Sequence, residues 1–229
     1  MSSSAFSGDK KVGQSLLHSL EQKAIAWTVP KIPHGIETYH LTLTTIPICL
    51  LILLFSYLAK NDLRWLWGVS VMILAQYITD SLDGSLGRYR QTGLIKWGYY
   101  MDHFLDYIFL CSILTGYSLM LPDAFKDLQF FLLIIFGAFM VNAYLAFAAT
   151  NEFRISYLGI GPTEVRLIFI AVNTLLILLG RTHLARLLPF VLIFSFLGLC
   201  MVVYQTQKRI WNMDMEQKRS THHDHAADH

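Results

Sequence analysis

Six long apolar runs fix what this chain can fold into. They lie near residues 40–59, 65–82, 98–121, 127–149, 161–180 and 183–206. Each is close to the roughly 20 residues that carry a helix across a bilayer. In lipid, backbone N–H and C=O groups must be satisfied within the segment itself, so such runs become helices. Composition agrees. Of 229 residues, 54% are hydrophobic and only 15% charged, with mean hydropathy +0.45; a soluble domain carries roughly 25% charge. The expected fold is an all-α membrane protein with six transmembrane helices. A formal net charge of only +2, without a basic run interleaved with aromatics, excludes a nucleic-acid partner.

Basic residues orient the helices. Six crossings put both termini on one side. That side would carry Lys10, Lys11, Lys23 and Lys31 before the first run, and Arg88, Arg90 and Lys96 between the second and third. It would also carry Arg154 and Arg166 around the start of the fifth, and Lys208, Arg209, Lys218 and Arg219 in the tail. The opposite side keeps Lys60, Arg64, Lys126, Arg181 and Arg186. The positive-inside rule makes the richer side cytoplasmic.

Residues 1–11 are polar and no short apolar run with a small-residue cleavage site follows, so no signal peptide is expected. Within 12–28, Leu16, Leu17, Leu20, Ala24 and Trp27 recur at helical spacing, with Gln14, Glu21 and Lys23 elsewhere. That is the pattern of an amphipathic helix lying in the membrane interface. Pro30 and Pro33 end it before the first crossing. From about Lys208 the chain is polar and closes on HHDHAADH; a disordered tail without a specific metal site is expected. The organisation is then a cytoplasmic segment over 1–39, a six-helix domain over 40–207 and a tail over 208–229. Cys49, Cys111 and Cys200 sit in separate apolar runs with no CxxC pair. They read as reduced, buried packing residues.

The chemistry is concentrated in one segment, ITDSLDGSLGRYRQTGLIKWGYYMDHFLDYIFL. Asp80 and Asp83 are three apart at the cytoplasmic end of the second run; Asp102 and Asp106 are four apart on the third. Each pair shares a helix face. The short link makes the two helices antiparallel neighbours, so the pairs face each other across one cleft. Four ionised carboxylates near membrane depth repel one another and lose hydration, and ionisable groups there are rare and functional. Divalent cations relieve both problems. Oxygen ligands suit hard ions such as Mg²⁺, Mn²⁺ or Ca²⁺, and Mg²⁺ favours sites completed by substrate phosphates. Gly84 lets a ligand approach the backbone, Gly87 and Gly98 allow close helix packing, and Arg88 can grip phosphate oxygens in a bidentate fork. Salt bridges from Arg88, Arg90 and Lys96 are the structural alternative, but four acids on two facing helices exceed what packing needs.

Written out, the segment is Asp80-x2-Asp83-Gly84-x2-Gly87-Arg88-x9-Gly98-x3-Asp102-x3-Asp106. It resembles the signature of the CDP-alcohol phosphotransferases, also called phosphatidyltransferases, with Gly87 where that family usually has alanine. Six expected crossings match the family fold. The resemblance implies transfer of a phospho-alcohol group from a CDP-linked donor to an alcohol or lipid acceptor, with release of CMP. It implies two Mg²⁺ or Mn²⁺ ions held by Asp80, Asp83 and Asp102, with Asp106 as a further ligand or as the general base. Gly84 and Arg88 would contact the CDP moiety, and members are commonly homodimers. His103 is a second candidate base; an Asp-His pair here looks like the branch that includes cholinephosphotransferases and ethanolaminephosphotransferases. Glu164 and Arg166, in GPTEVRL at the start of the fifth run, are candidate substrate contacts, since similar Gly-Pro-Thr-Glu runs occur in that branch. His40 and Thr42, in YHLT, look like a degenerate form of the family's Asn-x-x-Thr element. Asn142 and Asn173, in mid-membrane runs, read as interhelical hydrogen-bonding residues.

Two donor classes stay open: CDP-diacylglycerol with a small polar acceptor, or a CDP-linked head group with a diacylglycerol-like acceptor. Two rival functions are weaker. An aspartate-rich prenyltransferase needs two acid motifs in different halves of the chain, whereas here all four acids fall within residues 80–106. A cation transporter commonly shows internal repeats and broken mid-membrane helices, and neither is evident in the sequence.

Overall fold

A computed structural model describes residues 18–91, 94–151, 161–180 and 182–227. Its described elements are helical throughout: α1 (His18–Thr28), α2 (Thr38–Leu43), α3 (Thr45–Leu58), α4 (Leu66–Arg90), α5 (Ile95–Met120), α6 (Lys126–Thr150), α7 (Pro162–Leu179) and α8 (Thr182–Ala227). Short 3₁₀ turns occupy Val29–Lys31, Leu63–Trp65 and Asp123–Phe125.

Among the described residues, five spans are long and apolar enough to cross a membrane: Thr38–Leu58, Ile95–Met120, Asp123–Thr150, Pro162–Leu179 and Ala185–Arg219. They make the chain an integral membrane protein. Large apolar side chains such as Leu50, Leu54, Phe130, Phe131, Leu178 and Phe194 face outward, as lipid contact requires. The sixth expected crossing is α4. At 25 residues it is about 37 Å long, but Gln76, Asp80 and Asp83 lower its apolarity and it is not among those five.

Local chemistry explains the boundaries. The first span breaks at Thr44 because Pro47 cannot donate to the carbonyl of Leu43 and crowds it; Thr44 instead bonds back to His40 and Leu41. α4 does not stop at residue 82 but runs on to Arg90, so Asp83, Gly84, Gly87 and Arg88 all lie inside it. It ends where Gln91 turns left-handed at φ 53°. Pro162 opens α7 from its first turn. At 46 residues, α8 is about 70 Å long, more than twice the hydrocarbon thickness. It continues as helix through the stretch expected to be a disordered tail, where Gln207, Lys208, Met213, Met215, Glu216 and Lys218 are good helix formers.

α1 covers the described part of the segment expected to be amphipathic; Leu16 and Leu17 lie outside the described residues, as does the Leu20 side chain. The linker after α1 is pinned to the end of α4. Arg90 donates to the carbonyls of Ile36 (2.6 Å), Ile32 (2.8 Å) and Pro33 (3.0 Å). We expect Arg90→Ala to speed proteolytic cutting within residues 29–37 of the folded protein, read by limited digestion and mass mapping; an unchanged rate would show that the clamp does not hold the linker.

α3 is the centre of packing, lying against both α4 and α5, while α7 packs on α4, and α6 joins α5 to α8. α4 and α5 themselves approach little by backbone and face each other across a cleft. Their contacts are made by side chains in antiparallel register, with residue 76 meeting 106. The core is built from Ile48, Ile52, Leu66, Val69, Ile73, Ile113 and Leu114. Gly116 of α5 permits the α3 approach: a Cβ there would collide with Ser56 Oγ and lie 2.9 Å from Ser56 Cβ. Gly116→Ala should lower stability by about 1–3 kcal/mol, read as a lower unfolding midpoint in detergent, with partial recovery on adding Ser56→Gly.

Polar side chains cross the core in pairs. Tyr117 of α5 donates to Asn173 Oδ1 of α7 (2.8 Å), and Asn173 donates to Ser70 Oγ of α4 (3.1 Å). Asn142 of α6 reaches Thr206 Oγ1 of α8 at 3.4 Å. Both asparagines therefore hydrogen-bond between helices, as their sequence positions suggest. Of the three free cysteines Cys49 is buried, but Cys111 is only partly covered and Cys200 is on the exposed side of α8; burial was expected for all three.

Candidate active site

Gln76, Asp80 and Asp83 follow at i, i+4 and i+7 on α4, so they share one face. Asp102 and Asp106 share a face of α5. Asp102 lies within electrostatic reach of Asp80, Asp106 and Asp83, and Arg166 touches both Asp80 and Asp106. The four acids thus line one region between α4 and α5.

Asp83, Asp80 and Asp106 are each oriented by a neighbour. Asp83, buried, accepts from Thr42 Oγ1 of α2 at 2.8 Å, and also from the Gly84 N–H. Asp80 Oδ2 accepts from Arg166 Nη2 of α7 at 2.8 Å. The same Nη2 lies 3.4 Å from Asp106 Oδ1, which accepts from Gln76 Nε2 at 3.2 Å. His103 is 3.7 Å from Asp102 through Nδ1, but that nitrogen sits closer, 2.8 Å, to the Tyr99 carbonyl. Its ring packs against Tyr99 and Tyr144, and Tyr144 donates to the His103 carbonyl at 2.9 Å.

The other sequence candidates divide. Arg166 is buried at the centre of the acids. Glu164 accepts from the Gly161 N–H at 2.8 Å, closing the first turn of α7. His40 does the same for α2, accepting from the Glu37 N–H at 3.0 Å. Arg88 is exposed on the last turns of α4 and donates to Ser85 at 3.1 Å. Gly84 faces the Arg88 guanidinium, 3.5 Å from where a Cβ would sit. Gly87 lets α2 approach, since a Cβ would lie 3.3 Å from Thr38 Cγ2; at Gly98 a Cβ would meet nothing within 4 Å among the described residues. Arg154 lies outside the described residues.

Two features escaped the sequence reading. Gln76 is buried beside Asp106, and its Oε1 has no hydrogen-bond partner among the described residues. Its signal was a lone amide one turn before Asp80 in an apolar run. Arg166 was noted only as a possible substrate contact, with nothing to place it against acids 60 and more positions away.

The donor set is all oxygen, which suits a hard divalent ion, and an orphaned buried acceptor adjoins it. The residues therefore fit such an ion in kind. Among the described residues no three carboxylate, imidazole or thiol side chains converge tightly enough to cage one as they stand; the Arg166 guanidinium bridges two of the acids instead.

No curated protein matches the chain. The profile of one family, CDP-alcohol phosphatidyltransferase, matches residues 40–206, a stretch that runs from His40 in α2 through every acid of the cleft and into α8. With that match laid over the four clustered aspartates, the chain belongs to the CDP-alcohol phosphatidyltransferase family.

Proposed function

We propose that this protein is a Mg²⁺- or Mn²⁺-dependent enzyme of phospholipid synthesis, working at the cytoplasmic face of the membrane with α4 as its sixth crossing. Family membership makes it a transferase that moves a phosphatidyl or phospho-alcohol group from a CDP-alcohol. The observation that carries the finer reading is the grouping of Asp80, Asp83, Asp102 and Asp106 between α4 and α5, with Asp80 and Asp106 joined through Arg166.

Two ions held by those four aspartates would neutralise the diphosphate and the departing phosphate. The protein's own groups do the rest. Arg88, exposed at the cleft's rim, holds a phosphate of the CDP moiety, and Gly84 leaves room beside it. Asp106 takes the proton of the attacking hydroxyl. The alcohol oxygen bonds to the phosphorus bearing the transferred group, the bond from that phosphorus to the bridging oxygen breaks, and CMP leaves with the bridging oxygen and its electron pair. Gln76 fixes one oxygen of Asp106, and Thr42 fixes Asp83.

The test is CMP release by purified protein with Mg²⁺ or Mn²⁺. CDP-diacylglycerol, CDP-choline and CDP-ethanolamine are crossed with polyol and diacylglycerol acceptors, and products are identified by mass. We expect CMP from one donor class and its loss on adding EDTA. No CMP from any donor, together with cation flux in vesicles, would overturn the reading in favour of a transporter.

A further inference from the structure

Four carboxylates drawn into one cleft need positive charge nearby, because each buried charge left uncompensated is costly. The basic groups around the cluster are mostly engaged elsewhere. Arg88 is exposed and bonded to Ser85. Arg90 is spent on three carbonyls of the linker. His103 directs its Nδ1 to the Tyr99 carbonyl, with Asp102 at 3.7 Å. Arg166 is different: it is buried, and one nitrogen, Nη2, reaches Asp80 on α4 and Asp106 on α5 together.

Its delivery is built into the fold. Arg166, Phe169 and Asn173 fall at i, i+3 and i+7 on one face of α7. Asn173 is tied to Tyr117 and Ser70, and the Phe169 carbonyl lies 3.3 Å from the Tyr117 hydroxyl. The Tyr77 ring stands 5.8 Å from the guanidinium carbon. One nitrogen makes both contacts, so a positive charge placed at this point, rather than the fork of the guanidinium, bridges the two acids.

We propose that Arg166 is a resident counter-cation: it holds Asp80 and Asp106 until divalent ions claim the same oxygens, and is then released from them. The inference rests on the metal-dependent reading above. Two divalent ions would already balance four carboxylates, so a guanidinium left among them would be repelled at short range. The oxygens that Arg166 occupies are also ones an ion bridging α4 and α5 would use. Arginine contact and full metal loading at Asp80 and Asp106 are therefore mutually exclusive.

The full chain in detergent tests this without reference to turnover. Mn²⁺ affinity is measured by electron paramagnetic resonance. If the guanidinium holds the acids in about nine molecules of ten, Arg166→Gln should bind Mn²⁺ about tenfold tighter than the unaltered protein, while Arg166→Lys stays close to it. Unchanged or weaker binding in Arg166→Gln overturns the proposal. A second measurement uses the unaltered protein, in case that variant does not fold. Phenylglyoxal modification of Arg166, mapped by mass spectrometry, should be slow in EDTA and faster with Mn²⁺; protection or no change by Mn²⁺ overturns it as well. Absence of Mn²⁺ binding in the unaltered protein removes the metal reading together with this inference, whereas Mn²⁺ binding that leaves Arg166 indifferent removes this inference alone.

Discussion

Asp106→Asn should lower CMP release by about 10²–10⁴-fold while the protein still binds its CDP-linked donor. Asparagine keeps the size of the side chain and an oxygen for the Gln76 amide, which donates to Asp106 Oδ1 at 3.2 Å. What it cannot do is accept a proton from an attacking hydroxyl. Donor binding by calorimetry and single-turnover CMP release separate the two effects. Turnover retained in the purified variant would rule out the base role. His103→Gln is the companion. His103 Nδ1 faces the Tyr99 carbonyl and its ring packs between Tyr99 and Tyr144, so a smaller loss is expected. A loss in His103→Gln matching that in Asp106→Asn would move the base to the histidine. Mn²⁺ affinity measured alongside tells whether Asp106 also serves as a ligand.

Thr42→Val should weaken Mn²⁺ binding and turnover together by about 10–100-fold, the usual cost of losing a group that orients a metal ligand. Valine keeps the shape of threonine and removes only the hydroxyl, which donates 2.8 Å to Asp83 Oδ2. Asp83 is buried, so the lost donor is not replaced by bulk water. Thr42→Ser keeps the hydroxyl and should recover most of both properties. Equal Mn²⁺ affinity and turnover in Thr42→Val and the unaltered chain would show that Asp83 needs no such support.

Much of the fold was legible because its signals are local. Apolar runs of spanning length marked the helices, and the proline positions marked several of their ends. The acid cluster was legible for a related reason: spacings of three and four place each pair on one helix face. What could not be read depends on how helices meet. α4 and α5 face each other across a cleft, as their short link suggests, but that α3 lies against both was not legible. Glu164 and His40 have one role that is local: each accepts from a backbone N–H at the start of its own helix, beside the substrate contact expected of it. Thr42 and Arg166 gained importance for the opposite reason. Their partners, Asp83 and Asp80, are 41 and 86 residues away, beyond the reach of any periodicity.

The contact among Tyr117, Asn173 and Ser70 has a consequence for how this sequence can drift. Within a bilayer no water stands ready to replace a missing partner, and each of the three groups answers to another on a different helix. A change at one position is tolerated best when the others change too, as non-additivity among residues of one network implies. The triplet should therefore behave in descent as a single character, either kept whole or exchanged whole for apolar residues. Because Asn173 lies two turns beyond Arg166 on α7, lineages that exchange it are where Arg166 should also be free to vary.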